Sequence, residues 1–144
     1  MSKPGYLLDI NVLIALSDPE HCGHFAADQW RKRIGDAQFF LCAVTESGFV
    51  RLMASPTVGK ETMKNALAML RKVSLLPGAA RLAIDQSWLE LIAPFAGRLH
   101  GYRQVTDALL LGLAIKNNAV LVTLDRGIKA LAGDQFATNV LTLS

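Results

Sequence analysis

The stretch YLLDINVLIAL, residues 6–16, places a single aspartate, Asp9, between two apolar runs. The run YLL before it has the length of a short strand, and INVLIAL after it has the length of two helical turns. The following SDPEHCGH contains Pro and Gly, which end a helix. The pattern predicts a strand, a helix and a loop. A charge between apolar runs must be stabilised by neighbouring groups or used in chemistry.

Further strands are predicted where apolar residues run without alternation. QFFLCAV at 38–44 and AVLVTLD at 119–125 are typical of strands that are covered on both faces. NVLTL at 139–143 predicts a last strand, and LPGAARL at 76–82 predicts an irregular segment or a short strand. These segments are the framework of the predicted sheet.

Between these strands, apolar residues recur at the spacing of one face of a helix. A helix over 25–34 would be amphipathic, with Phe25 and Trp30 facing inward. The other helices are predicted over 46–54 with Thr45 as cap and Pro56 as stop, over 60–73, over 87–99 with an end or kink at Pro94, over 106–118, and over 126–132 with Gly133 as stop.

Alternating strands and helices imply an α/β fold in which helices cover both faces of a parallel sheet. The 144 residues are about one domain long, and 51% hydrophobic with 19% charged residues indicates a compact fold, so we expect one domain over 1–144. The net charge of +3 permits an acidic partner such as nucleic acid without requiring one. Two cysteines are too few for a disulfide framework, and no apolar stretch could span a bilayer. We expect a soluble cytoplasmic protein.

Four acidic residues stand at equivalent places in this pattern. Asp9 and Asp125 end strands, Glu46 follows a strand at the start of the next helix, and Asp107 opens a helix. The carboxyl ends of parallel strands and the starts of the following helices line one crevice, so all four acids should face one pocket. Glu46 and Asp107 could instead stabilise helix starts, and an aspartate after a strand is often a turn former.

Four carboxylates in one pocket repel one another unless a cation neutralises them. An all-oxygen set of ligands favours Mg²⁺ or Mn²⁺ over Zn²⁺. A Mg²⁺ ion held by a few carboxylates keeps several waters, which leaves positions for phosphate oxygens and an attacking water. Hydrolysis of a phosphodiester bond is therefore the expected chemistry.

The motifs LLDINVLIAL, TESGFVRL, TDALLLGLA and VTLDRG follow one another as they do in PIN-domain ribonucleases. More narrowly, the chain resembles the VapC toxins of bacterial type II toxin-antitoxin pairs, from Tyr6 to the closing NVLTL. The resemblance implies a three-layer α/β/α sandwich with a central, mainly parallel sheet. It also implies a Mg²⁺- or Mn²⁺-dependent endoribonuclease, a homodimer, and inhibition by a small VapB-type antitoxin whose C-terminal segment enters the cleft.

The resemblance also assigns roles to the four acids. Asp9 and Asp107 match the principal metal ligands, and Asp125 matches a residue that coordinates directly or through water. Glu46 matches a residue that positions or deprotonates the attacking water. Which carboxylate acts as the base, and which RNA is cut, are not settled by the sequence.

Five further residues are candidates for supporting roles. Asn11 could bond an acid or the substrate, or simply face the start of its helix. Thr123 lies two residues before Asp125, on the same side of the strand, where its hydroxyl can bond a carboxylate. Thr106 is expected chiefly as a helix cap. Arg51 and Arg126 could contact phosphate near the cleft or remain solvated charges.

The segment EHCGH, residues 20–24, contains His21, Cys22 and His24. A single cluster without a second half elsewhere gives little support for a zinc site, and a loop beside the active site is the better interpretation. His24 would pack there or touch substrate.

Two other functions remain open. In a haloacid dehalogenase-type phosphatase Asp9 would be a nucleophile, but that class needs a second Asp two residues on, where this chain has Asn11. A non-catalytic module with the PIN fold would place no demand on keeping all four acids.

Overall fold

The computed structural model of the chain describes residues 4–144; the predicted domain also includes residues 1–3, which lie outside the described residues. Five strands form one sheet in the order β3-β2-β1-β4-β5, and every neighbouring pair is parallel. The strands are β1 (Tyr6–Leu8), β2 (Phe39–Leu41), β3 (Ala79–Arg81), β4 (Val120–Thr123) and β5 (Val140–Thr142). The expected parallel sheet is confirmed.

Seven α-helices alternate with these strands in the described part of the chain. They are α1 (Ile10–Ser17), α2 (His24–Ile34), α3 (Ala43–Met53), α4 (Met63–Ser74), α5 (Trp88–Ile92), α6 (Val105–Lys116) and α7 (Ile128–Ala132). Short 3-10 turns occupy Ala93–Arg98, Tyr102–Gln104 and Ala137–Asn139. The predicted helix over 87–99 does break near Pro94. Across residues 4–144, no helix combines the length and the apolar character needed to cross a membrane.

The two faces of the sheet bury two separate apolar clusters. Leu7 and Leu121 belong to the cluster that includes buried residues of α5, α6 and α7. Leu8 and Val122, the next residues along the same strands, belong to the cluster formed with α1, α2, α3 and α4. Successive side chains of a strand point to opposite faces, so a strand covered on both sides is apolar throughout. The expected three-layer α/β/α architecture is confirmed.

The inward orientation predicted for Phe25 is wrong. Trp30 is only 2% exposed, whereas Phe25 is 75% exposed. Five residues at about 100° per residue place two side chains roughly 140° apart around a helix, so both cannot face the core. Ala27, three residues before Trp30, occupies the buried stripe instead.

Thr45 is not the N-terminal cap of its helix. α3 begins three residues earlier than predicted, and Cys42 is the residue that precedes it. Thr45 lies inside the first turn, where its hydroxyl accepts a hydrogen bond from the Cys42 N–H and donates one to the Cys42 carbonyl, both at 3.0 Å. The side chain therefore stabilises the start of the helix from within.

The start predicted for α4 is also wrong. Lys60 has a φ of 59°, a left-handed conformation that cannot continue into a right-handed helix. Thr62 caps the helix, because its hydroxyl accepts a hydrogen bond from the Asn65 N–H at 3.1 Å. α4 accordingly begins at Met63.

Candidate active site

Asp9 is fixed where β1 passes directly into α1. Its backbone N–H donates to the Val122 carbonyl at 2.9 Å, which continues the pairing of β1 with β4. One carboxylate oxygen, Oδ1, accepts from the Ile10 N–H at 2.8 Å and caps α1. The other, Oδ2, accepts from the Thr123 hydroxyl at 2.7 Å. The residue is only 6% exposed, so both oxygens hold defined positions in a largely buried setting.

Thr123 connects two of the acids. Besides donating to Asp9, its hydroxyl oxygen accepts from the Asp125 N–H at 3.0 Å and lies 3.5 Å from the Asn11 Nδ2. Asn11 Oδ1 accepts from the Leu124 N–H at 3.2 Å. The predicted contact of Thr123 with a carboxylate is present, and Asn11 bonds this hydroxyl and the backbone after β4. We call Asp9, Asn11, Thr123 and Asp125 the inner junction.

Asp107 and Asp125 complete a group of three acids that interact through their charges. Asp125 is exposed, and its Oδ1 accepts from the Gly127 N–H at 2.8 Å. Burial, followed by the negative charges of Asp9 and Asp125, raises the pKa of Asp107 to about 6. Burial likewise raises the pKa of Asp9, opposed by the hydrogen bonds from Thr123 and Ile10, and the Asp125 charge adds to the rise. Three carboxylates thus repel one another at one edge of the sheet.

Glu46 is held differently from the other three acids. Arg81, the last residue of β3, donates from Nε and Nη2 to the same oxygen, Glu46 Oε1, at 3.1 and 2.7 Å. The Arg81 side chain is 66% exposed and that of Glu46 21%. We call Glu46 and Arg81 the outer pair. The sequence analysis missed Arg81, although its place at the end of a possible strand was the available signal.

The remaining polar candidates lie on the surface around this edge. The cap predicted at Thr106 is wrong: α6 starts at Val105 after Gln104, and Thr106 is an exposed residue of the first turn. Arg51 is exposed and borders a groove together with Glu46. Arg126 is exposed directly after Asp125.

Arg103 is a second arginine near the acids that was not predicted from the sequence. Arg103 lines a cavity of about 160 Å³ together with Asp107 and Asp125. It stands four residues before Asp107, in the segment that leads into α6. That proximity in sequence was the only signal available for it.

The histidines of the 20–24 segment bond to backbone groups. His21 Nδ1 accepts from the Gly23 N–H at 2.9 Å, and His24 Nδ1 lies 2.7 Å from the Ala15 carbonyl. Cys22 is an exposed free thiol. The loop lies against the residue before Asp125, because a Cβ on Gly23 would come within 2.7 Å of the Leu124 side chain. The loop therefore borders the site, and His24 anchors it.

The chemistry of the acids fits a hard divalent cation. Among residues 4–144, no group of three or more His, Cys, Asp and Glu side chains is arranged, as it stands, to hold a metal ion. The donors available are oxygens, and burial together with the negative charges of Asp9 and Asp125 raises the pKa of Asp107. A cation with a preference for oxygen ligands would relieve the repulsion among these charges.

Comparisons with known proteins agree with this architecture. Ribonuclease VapC38 of Mycobacterium tuberculosis is 36% identical over 143 residues, which cover 96% of this chain and 97% of that protein. Ribonuclease VapC44 of the same organism is 33% identical over 132 residues, 88% of this chain and 89% of that protein.

Among solved structures, VapBC2 of Rickettsia felis, bound to a DNA fragment from its promoter, superimposes with a TM-score of 0.67. The match covers 97% of this chain and 99% of that chain at 11% identity, and at that identity it supports the fold alone. The PIN domain family model matches residues 6–134. The chain therefore belongs to the PIN domain family and, within it, to the VapC group.

Proposed function

We propose that the chain is a metal-dependent endoribonuclease that hydrolyses phosphodiester bonds of RNA. The observation that supports this proposal most is the convergence of Asp9, Asp107 and Asp125, whose charges influence one another at the carboxyl edge of the sheet. The relatives at 33% and 36% identity are named ribonucleases. The family match favours this function over the haloacid dehalogenase-type alternative.

Asp9, Asp107 and Asp125 would hold Mg²⁺ or Mn²⁺. When bound, such an ion polarises a phosphoryl oxygen, lowers the pKa of a water and neutralises developing negative charge. The chain contributes the positions of the oxygens: Thr123 directs one oxygen of Asp9, and the Gly127 N–H directs one oxygen of Asp125. Asn11 would keep the β4 end in place through the Leu124 N–H.

Glu46 would position or deprotonate the attacking water. Arg81 occupies Oε1, so Oε2 is the oxygen that can accept a hydrogen bond from water. Arg51 and Arg126, both exposed near the acids, would contact phosphates of the substrate, and Thr106 is exposed one residue before Asp107.

The proposal extends to biological role and partners. We infer that the protein is the toxin of a toxin-antitoxin pair, that it forms a homodimer, and that it works in the cytoplasm. A small VapB-type antitoxin would be its partner, by analogy with the VapBC2 structure. Light scattering on the purified protein, alone and with a co-expressed VapB-type protein, tests both assemblies.

Cleavage of total bacterial RNA tests the activity. Purified protein is incubated with RNA in Mg²⁺ or Mn²⁺, with EDTA in a parallel reaction, and the new ends are sequenced. Discrete cuts that disappear in EDTA and in Asp107→Asn, but persist in Asp36→Asn, are expected. Asp36 is an exposed acid before β2, at the opposite edge of the sheet, and therefore a matched control. Cuts that persist in EDTA would contradict metal dependence.

A further inference from the structure

The segment 98–104 leads into α6 and is held rigidly. The Arg98 guanidinium donates to two backbone carbonyls of α7, at 2.8 and 2.9 Å. Gln104 Oε1 accepts from the backbone N–H groups of His100 and Gly101, at 2.7 and 3.3 Å. Side chains that project from this segment therefore start from a fixed backbone.

The cavity beside this segment is too small for a nucleotide. Arg103, Asp107 and Asp125 border a volume of about 160 Å³, whereas pockets that enclose drug-sized ligands measure roughly 300–1,000 Å³. A phosphate group fits such a space. The bases and sugars of a polynucleotide that reaches the acids must lie on the surrounding surface.

Tyr102 lies next to Arg103, one of the residues that border this cavity. Its side chain is 81% exposed, and the neighbouring Arg103 lies against it, with Nε 3.3 Å from the Tyr102 hydroxyl oxygen. The Arg103 guanidinium carbon is 5.8 Å from the ring centre. A positive group that borders the cavity of the acids thus lies beside an exposed aromatic ring. Unpaired bases stack on such rings, and phosphates bind such guanidinium groups.

We propose that Tyr102 and Arg103 form a nucleotide subsite for single-stranded RNA. Tyr102 stacks on an unpaired base, and Arg103 binds the phosphate that enters the cavity beside it. RNA as the ligand rests on the proposed function. The substrate class that follows is an unpaired strand or a loop, because a base in a duplex has no free face to offer.

Equilibrium binding without turnover tests the stacking residue. Fluorescence anisotropy of a fluorescein-labelled oligouridylate is measured in EDTA, and again in Mg²⁺ with every variant in an Asp9→Asn background. Tyr102→Ala should weaken binding roughly 10-fold, as expected for loss of one stacked base. Tyr102→Phe should bind as the parent does. Leu75→Ala, an exposed apolar residue at the end of α4 and at the opposite edge of the sheet, should also leave the affinity unchanged.

Salt dependence tests the phosphate contact separately. Removing one phosphate contact to a single strand lowers the slope of log affinity against log salt by about 0.7. Arg103→Ala should show that decrease. Tyr102→Ala should lose affinity with an unchanged slope, because stacking releases no counterions. A smaller salt slope in both variants, or in neither variant, would contradict the assignment of stacking to Tyr102 and of phosphate binding to Arg103.

Three results would overturn the subsite. Equal affinity of Tyr102→Ala and wild type would leave Tyr102 to contact a protein partner instead. Weak binding by Tyr102→Phe would assign the effect to the hydroxyl and not to the ring. Preferential binding of a duplex of the same length would exclude an unpaired base. Binding is measured without turnover, so the two proposals can fail separately. If the variants bind RNA as expected but the wild type cuts no RNA, only the proposed nuclease activity is refuted. If the wild type cuts RNA but Tyr102→Ala binds it with unchanged affinity, only the subsite is refuted.

Discussion

The inner junction and the outer pair hold carboxylates at the same edge of the sheet by different means. Asp9 is almost fully buried, and both of its oxygens accept hydrogen bonds from groups fixed by β4 and α1. Glu46 is partly exposed and is held by an arginine whose own side chain is mostly in solvent. A buried, backbone-anchored carboxylate costs stability and has one position. An exposed ion pair costs little and can rearrange.

Replacing Asp9 gives the largest expected effect. Asp9→Asn should reduce RNA cleavage by at least ~10²–10³-fold, the size of effect seen when one electrostatic partner of a reaction centre is removed. The metal-free melting temperature should stay level or rise, because a buried carboxylate with a raised pKa is replaced by a neutral side chain that can still cap α1. Cleavage assays and calorimetry measure the two effects. An unfolded Asp9→Asn protein would make Asp9 a structural residue.

Removing the Thr123 hydroxyl tests whether the junction acts as one unit. Thr123→Val leaves Asp9 Oδ2 and the Asp125 N–H without this partner, so unfolding free energy should fall by about 1–3 kcal/mol. Cleavage should fall ~10–100-fold, as for residues that orient metal ligands.

Thr142 supplies the matched control for this change. It pairs with Thr123 across β4 and β5, and its buried Oγ1 has no hydrogen-bond partner among the described residues. Thr142→Val should therefore be neutral or stabilising in urea denaturation. If Thr123→Val and Thr142→Val lower the unfolding free energy equally, the hydrogen bond from Thr123 to Asp9 does not contribute specifically to stability.

The pH dependence of stability tests the raised pKa of Asp107, which burial and the charges of Asp9 and Asp125 produce. Its folded-state pKa of about 6 lies above the ordinary value of 3.8, so the folded state binds the proton more tightly than the unfolded state. Metal-free stability should fall as pH rises from about 4 to about 6. Asp107→Asn should reduce that fall, to which the raised pKa of Asp9 also contributes, and be more stable at pH 7.5 by about 1 kcal/mol, a modest value because the site is partly solvated.

Melting temperatures in EDTA across this pH range measure the difference. The two proteins should come closest below about pH 3, where the carboxyl group is protonated in both states, diverge between about pH 4 and 6, and keep a constant difference at higher pH. Parallel curves for wild type and Asp107→Asn would show that the pKa of Asp107 is not raised in the folded state. Addition of Mg²⁺ should stabilise the wild type at pH 7.5, because a ligand of the folded state shifts the equilibrium toward it.

The smallest effect is expected at the outer pair. Arg81→Met should change the unfolding free energy by less than about 1 kcal/mol, the usual range for an exposed ion pair. Arg71→Met, at an exposed position of α4, serves as a control for the loss of a surface arginine. Urea denaturation measures both. A loss above about 2 kcal/mol would show that the outer pair is as structural as the inner junction.

Much of the fold follows from local pattern. A strand buried on both faces is largely apolar, so YLL, FFL and the VLV of β4 are recognisable as apolar runs, and Asp9 marks the end of one of them. Helix details were less predictable. The exposed Phe25 and the inner position of Thr45 depend on which helical stripe and which turn meet neighbouring elements.

The candidate site divides in the same way. Asp9, Asp107 and Asp125 could be selected from the sequence because strand ends and helix starts are shared landmarks of parallel sheets. Arg81 and Arg103 could not, because an arginine on the surface has no sequence pattern until its neighbours across the chain are known. Arg81 is 35 residues from its partner Glu46.

The sequence by itself determined the alternation of strands and helices, the family and the identity of the acids, since these depend on hydrophobic periodicity and on residue order. Only the tertiary structure decided that Thr123 donates to Asp9, that Arg81 pairs with Glu46, and that Arg103 lies beside Asp107 and Asp125. The physical reason is the separation along the chain of the residues that interact. Hydrophobic pattern acts between neighbours along the chain, whereas hydrogen bonds and charges act between residues that only folding brings together.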